Sequence, residues 1–305
     1  VAIYSIKDLE KLSGIKAHTL RIWEQRYGLI VPKRTLTNIR YYDDDELKSL
    51  MNIALINKNG YKISHIARLS REQIAEKAAS VSVNNLAFDT QSDSLTIAMI
   101  EMDEYRIERI INTNIQQVGF ETTMLEVIFP FLDKLGLLWL TGSISPAHEH
   151  FITALIRQKV IAVIDNEPLP MGKDTKKFLL YLPEGEHQEL SLLFMQYLLK
   201  SRRHSVLYLG LNIGLNDLQD VYILRKPDYI FTMVSESFQR QPVQQYVDIL
   251  SGLFPDCRIL MTGHQMVNQT VKERPNITIL KSLDDTIDFL NNLQPSLHKK
   301  SYLTH

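Results

Sequence analysis

The stretch Tyr4-Ser5-Ile6-Lys7-Asp8-Leu9-Glu10-Lys11-Leu12-Ser13-Gly14-Ile15-Lys16-Ala17-His18-Thr19-Leu20-Arg21-Ile22-Trp23-Glu24-Gln25-Arg26-Tyr27-Gly28 holds two short helices and a tight turn. Ile6, Leu9, Leu12 and Ile15 recur at helical spacing, Gly14 permits the turn, and Leu20, Ile22 and Trp23 are expected to face back onto the first helix. His18, Thr19, Arg21, Gln25 and Arg26 then point outward from the second helix. That is helix-turn-helix geometry, in which the second helix enters a major groove of double-stranded DNA. Downstream, Pro32-Lys33-Arg34 and Asn38-Ile39-Arg40-Tyr41-Tyr42 predict two short strands around a Thr35-Leu36-Thr37 turn. Arg34, Arg40 and Tyr41 make this hairpin a basic wing suited to phosphates.

Charge is partitioned in the same sense. Residues 1–70 hold twelve Lys and Arg against seven Asp and Glu, a balance of +5, while the whole chain stands at −1. The remainder is therefore acidic by six charges. Phosphate neutralisation supplies most non-specific affinity for DNA and makes it salt-dependent. A surplus this small argues against a chain that coats nucleic acid indiscriminately.

A length of 305 residues suits two or three domains, and 45% hydrophobic with 23% charged residues is the composition of a soluble globular protein. The apolar run from Met124 to Leu140 is broken by Glu126, Pro130, Asp133 and Lys134, so neither a membrane span nor a signal peptide is expected, and the expected location is the cytoplasm. The single cysteine, Cys257, excludes an internal disulfide and a thiolate metal site built from this chain alone.

The head closely resembles the MerR family of transcription regulators. The resemblance covers roughly residues 3–70, and its most specific pieces are Thr19-Leu20-Arg21-Ile22-Trp23-Glu24 and Arg40-Tyr41-Tyr42 followed by Asp43-Asp44-Asp45-Glu46. It implies DNA contacts from His18, Thr19, Arg21, Gln25, Arg26, Arg34, Arg40 and Tyr41, made by a homodimer or higher homo-oligomer on symmetric half-sites. Members that sense soft metals do so through cysteine pairs, which this chain lacks.

After the wing, Asp44 to Lys58 predicts a long helix that starts on acids suited to its positive end and stops at Asn59-Gly60. Tyr61 to Leu69 predicts a short pair, and Ser70-Arg71-Glu72-Gln73 starts another helix. Residues 79–94 are small and polar with weak periodicity, and read as a flexible linker. Residues 95–166 show helical periodicity with breaks near Met102-Asp103, Gly119-Phe120, Gly142-Ser143 and Asp165-Asn166, the pattern of a four-helix bundle. From Lys177 onward the predicted strands are Phe178-Leu182, Val206-Leu209, Tyr229-Val234, Arg258-Thr262 and Ile277-Leu280. Helices are expected between and after them, near 187–201, 214–224, 241–253, 266–272 and 283–293. This alternation predicts a doubly wound, flavodoxin-like parallel sheet with ligand chemistry at the carboxyl ends of its strands.

The expected fold class is thus multidomain, α plus α/β. A winged head occupies 1–78, a linker 79–94, a helical bundle 95–170, a Rossmann-like domain 175–295 and a polar tail 296–305. Paired acids such as Asp43-Asp44-Asp45 and Asp284-Asp285 read as helix starts. No phosphate loop of the Walker type and no activated serine is present.

Taken together, the two C-terminal parts resemble the cobalamin-binding module of light- and cobalamin-responsive MerR regulators. The residues that carry this likeness are Pro183-Glu184-Gly185-Glu186-His187-Gln188-Glu189-Leu190 after the first strand, and Trp139 followed after a nine-residue gap by Glu149-His150. The resemblance implies that His187 is the lower axial ligand to cobalt, and so the metal-binding residue. It implies also that Trp139, Glu149 and His150 line the upper, adenosyl face of adenosylcobalamin. Thr232, Val234 and Gly263 fall where the family places a small hydroxyl residue and a glycine pair near the cofactor's tail. An imidazole suits a transition metal, and Glu186 or Glu189 is a candidate to orient it.

The chain departs from the pattern in three places. Leu190 replaces a glycine three residues after the histidine, which narrows the approach of the nucleotide tail. Thr262-Gly263 keeps only half of a glycine pair. Leu140 follows Trp139 where photoreceptor members carry a histidine. The leading function is a DNA-binding regulator with a cobalamin-binding sensory and oligomerisation module. The alternative is the same regulator with a module that has lost the cofactor and acts through protein contacts. A corrinoid-dependent enzyme subunit is the third reading, against which stands the absence of length for a substrate domain, so no catalytic residue is expected.

Overall fold

The computed structural model describes residues 3–35, 38–84, 87–140, 144–170, 175–235, 242–272 and 274–293, without the side chains of 82–84 and 137–140. It divides into two compact units, Val1–Ile156 and Arg157–His305. In the first, α1 (Ile6–Ser13) starts on a capping box in which Ser5 and Asp8 satisfy each other's backbone amides, and ends at Gly14 with φ 71°. That left-handed conformation strains any residue with a Cβ, so glycine sits at the turn. Helix α2 (Ala17–Ile22) continues as one π-helical turn over Trp23–Tyr27 and closes at Gly28, again left-handed. Leu9, Leu12, Leu20 and Trp23 are buried and clamp the two helices together.

Strands β1 (Lys33–Arg34) and β2 (Arg40–Tyr41) pair antiparallel, with Lys33 opposite Tyr41 and Arg34 opposite Arg40. Leu36 and Thr37, in the expected turn, lie outside the described residues. Helix α3 (Asp44–Lys58) is capped by Asp43, whose carboxylate accepts the Glu46 amide hydrogen. After α4 (Ile63–Ile66) comes α5 (Arg71–Asn84), then α6 (Phe88–Ile100). The stretch 79–94, expected to be a flexible linker, is therefore helical over 79–84 and 88–94. Its polar residues mislead because they are internal: Thr90, Gln91 and Ser94 are buried. Gln91 Oε1 accepts from Asn114 Nδ2 at 3.0 Å, and the Ser94 hydroxyl donates to the Thr90 carbonyl at 2.7 Å. Locally satisfied polar groups can be buried at little cost, and they leave no apolar period to read.

The bundle thus begins at Phe88, before the expected 95. Helix α7 (Glu104–Val118) follows, then α8 (Phe120–Thr123) runs through a π turn at Met124–Ile128 into α9 (Phe129–Leu140). Helix α10 (Pro146–Asn166) is the last, and residues 141–143 before it are not described.

The second unit contains the sheet. Strands β3 (Lys177–Pro183), β4 (Ser205–Ile213), β5 (Tyr229–Met233), β6 (Arg258–Thr262) and β7 (Ile277–Ile279) lie in the order β4-β3-β5-β6-β7, all parallel. Helices α11 (Glu189–Ser201), α12 (Leu215–Arg225), α13 (Val243–Leu253), α14 (His264–Asn268) and α15 (Leu283–Leu293) alternate with them. The expected helix near 266–272 begins earlier, at His264, and is one short turn. Strand β3 is buried from Phe178 to Pro183, so its run of apolar residues shows no alternation, as expected of a central parallel strand. The order reverses between β3 and β5, which places the switch point at the loop that follows β3.

Candidate DNA-binding head and cobalt-ligand loop

In the head, His18, Arg21, Gln25 and Arg26 are exposed and Thr19 half-exposed, as the helical period requires. Ile22 departs from expectation. It is 49% exposed and lies among the basic residues, not on α1. A helical stripe narrow enough to pack on one eight-residue helix takes Leu20 and Trp23 and leaves Ile22 outside.

The wing is tied to the recognition helix. Glu24 accepts from the Tyr42 hydroxyl at 3.2 Å and lies 3.8 Å from the Arg40 guanidinium. Tyr4 and Tyr42 exchange backbone hydrogen bonds of 2.8 and 2.9 Å, and the Tyr4 hydroxyl donates to Asp44 at 2.9 Å. Arg34 bonds Asn38, which has φ 64°. Lys33 pairs with Asp43 and Arg71 with Glu46, while the Val31 amide donates to the other Glu46 oxygen at 2.8 Å. Lys33 holds the Asp43 carboxyl below its usual range.

The acidic run therefore does more than start a helix. Asp43 and Glu46 are buried, and they orient the wing. Sequence reading missed Glu24, Asp43 and Glu46 as wing supports, because their partners are set by tertiary contact and not by spacing. Arg34 and Arg40 remain exposed with Tyr41 half-exposed, so a basic surface runs from α2 to β2.

In the second unit, His187 is exposed on the loop between β3 and α11. Three contacts fix that loop. The Gly185 amide donates to Asn212 Oδ1 at 3.3 Å, with Gly185 at φ 87° and Asn212 at φ 58°. Glu186 turns inward, is 1% exposed and accepts the Ser235 amide hydrogen at 2.8 Å. Glu189 turns outward into a two-pronged pair with Arg157, at 2.7 and 3.0 Å. Neither carboxylate orients the His187 ring by a side-chain hydrogen bond. Glu186 and Glu189 instead position the backbone on either side of it, a correction to the expectation from spacing. Leu190, in the first turn of α11, is half-buried.

Of the other expected contacts, Thr232 and Val234 are fully buried. Val234 belongs to the core under α13, and the Tyr181 and Tyr246 hydroxyls share a 2.8 Å hydrogen bond. Burial pushes the Tyr181 phenol up to about 12. Gly263 has φ 110°, and a Cβ there would stand 2.5 Å from the Val234 carbonyl oxygen. Bare backbone is obligatory where β6 ends against β5. The glycine lets the chain's own Val234 carbonyl and Ser235 side chain approach its backbone closely.

In the first unit Glu149 is half-exposed and His150 exposed on the first turn of α10. The Trp139 and Leu140 side chains lie outside the described residues, as does the tail from residue 294. No group of three or more His, Cys, Asp or Glu among the described residues forms a metal site. Among them too, no helix is long and apolar enough to cross a membrane.

Residues 4–73 match the model of the MerR HTH family regulatory proteins, and residues 91–164 match that of the B12 binding domain. The regulator CueR of Bacillus subtilis is 30% identical over 108 residues, which are 35% of this chain and 73% of CueR. The chain belongs to the MerR family. Its likeness to two longer members extends past the head. The transcriptional repressor CarH of Myxococcus xanthus is 26% identical over 234 residues, covering 74% of this chain and 77% of CarH. CarA of the same organism is 27% identical over 257 residues, covering 83% and 82%. This MerR protein is a transcription regulator in which a winged head is joined to a domain of the B12-binding type.

Proposed function

We propose that this MerR protein binds double-stranded DNA as a homodimer or higher homo-oligomer, and that its C-terminal half binds adenosylcobalamin with His187 as the cobalt ligand. The DNA contacts are His18, Thr19, Arg21, Gln25, Arg26, Arg34, Arg40 and Tyr41. Support comes from the exposed basic surface held by Glu24, Asp43 and Glu46, and from the requirement that a short recognition helix be duplicated to read an operator.

The observation that carries the cofactor reading is the fixed loop that presents His187 to solvent at the sheet's switch point. Cobalamin supplies a cobalt–carbon bond that light or chemistry can break, a property of the cofactor and not of the protein. Imidazole is a suitable donor to such a metal. Trp139, Glu149 and His150 are the candidate residues for the upper face. Glu149 has carboxylate oxygens able to accept from ribose hydroxyls. Half-buried Leu190 narrows the start of α11, so the tail is held less closely there than by a glycine.

Absorption spectra of the purified chain titrated with adenosylcobalamin test this reading. Displacement of the cofactor's own base shifts the spectrum on binding to the wild type, and His187→Ala abolishes that shift. Identical spectra for the two proteins would overturn the assignment. An absence of any binding by the wild type would favour the module that acts through protein contacts alone.

A further inference from the structure

Asp93 lies at the middle of α6, where helices from two functional parts of the first unit meet. Its Oδ2 accepts from Lys58 Nζ at 2.8 Å, and its Oδ1 from Lys134 Nζ at 3.0 Å. Lys58 is the last residue of α3, the long helix of the DNA-binding head, and Lys134 is on α9, the helix that carries Trp139. Each carboxylate oxygen thus serves one side. The Asp93 side chain is only 23% exposed, so a move that separates either lysine leaves a partly desolvated charge without its partner. Burial raises the Asp93 carboxyl, but Lys134 and Lys58 together outweigh that and hold it below its ordinary range.

The other end of α3 is the part that grips the wing. Asp43 and Glu46, at its first turn, hold Lys33, the Val31 amide and Arg71. The helix has 15 residues and is a rod of roughly 22 Å. Helix α9, which carries Trp139, is therefore linked through Asp93 to the helix that positions the wing.

We propose that the Lys58–Asp93–Lys134 bridge is the joint through which the DNA-binding head and the cap helix α9 sense one another. The proposal rests on the reading of the head as the DNA-binding element, and its sensory role rests on the cobalamin reading of α9. A ligand held under α9 displaces Lys134, the carboxylate carries that displacement to Lys58, and α3 passes it to the wing. Linkage makes the effect reciprocal, so DNA on the head must also alter α9.

Reciprocity supplies a test that needs no cofactor. Hydrogen exchange of the full chain is measured with and without a duplex that the wild type selects from a random pool. In the wild type, DNA slows exchange in the wing and also in residues 129–140. In Asp93→Asn and in Lys134→Gln the wing is still protected, while the protection of 129–140 is lost, and Asp93→Glu restores it. Circular dichroism confirms that each variant is folded, and Lys134→Gln serves if Asp93→Asn is not. Residues 129–140 indifferent to DNA in the wild type, or protected equally in both neutral variants, would overturn the proposal.

A second arm adds adenosylcobalamin. Coupling of ordinary strength separates the DNA affinities of loaded and cofactor-free wild type by roughly 5- to 150-fold, and Asp93→Asn brings that ratio near one. A wild type without an adenosylcobalamin spectrum would refute the cofactor reading alone, and the exchange arm would still decide the role of Asp93.

Discussion

The recognition helix and the His187 loop expose their working groups by opposite means. On α2 the exposed residues follow from a helical period, because Leu20 and Trp23 take the inner face and everything between them is forced outward. At His187 no period applies. The ring is presented because Glu186 and Glu189 pull the adjoining backbone inward and outward, and because Gly185 reaches Asn212 across the edge. A helix displays its side chains through its own regularity, whereas a strand-end loop needs partners that are distant in sequence.

Removing the inner face should therefore damage the head most. Trp23→Ala is expected to cost about 3–5 kcal/mol, the range for deleting a buried Trp or Phe, and to melt α1 and α2 while the sheet stays folded. Hydrogen exchange resolved by peptide checks this, and protection of α1 equal to the wild type would break the comparison on the head side. On the other side, Gly263→Val forces a left-handed, glycine-only backbone and a contact with the Val234 carbonyl. The backbone strain alone is about 1–3 kcal/mol. Loss of the cofactor spectrum with DNA affinity retained is the expected result.

These two positions also show how far the sequence could be read. The helix-turn-helix, the wing and all five parallel strands follow from apolar period and turn residues, since each is a local consequence of side-chain spacing. The helical nature of 79–94 was hidden because Gln91 and Ser94 are buried polar residues whose partners, Asn114 and the Thr90 carbonyl, carry no sequence signal. His187 stood out through the resemblance carried by residues 183–190 together with Trp139 and Glu149-His150, not by its place after a strand. Its supports did not, because Ser235, Asn212 and Arg157 lie 49, 27 and 32 residues from the groups they bond.

Smaller effects sharpen the contrast between surface charge and buried structure. Replacing Arg21 and Arg40 together with alanine should weaken binding to all duplexes and reduce the slope of log affinity against log salt by roughly one for each phosphate no longer neutralised. Arg40 also lies by Glu24, so its removal loosens the wing as well as deleting a charge. An unchanged salt slope in a gel-shift titration would exclude this surface from the interface.

Acid should act on both units in the same direction. Burial lowers the pKa of His148 in the first unit and of His204 in the second. A histidine whose folded pKa is depressed gives stability that is present above its unfolded value of about 6.5 and is lost as pH falls through the folded value. Denaturant midpoints measured downward from neutral pH should fall, and His204→Gln should flatten the fall reported by the sheet. A midpoint that rises over that interval would contradict the burial argument.

The most direct test of the central claim reads the atom bonded to cobalt. Protein grown with ¹⁵N-histidine is loaded with cobalamin, the cobalt–carbon bond is broken by light without oxygen, and the paramagnetic resonance spectrum of the cobalt is recorded. Ligation by the His187 ring predicts that each cobalt line splits into a doublet, from a single spin-half nitrogen. A triplet, as an unlabelled nitrogen of the cofactor's own base would give, would contradict the account.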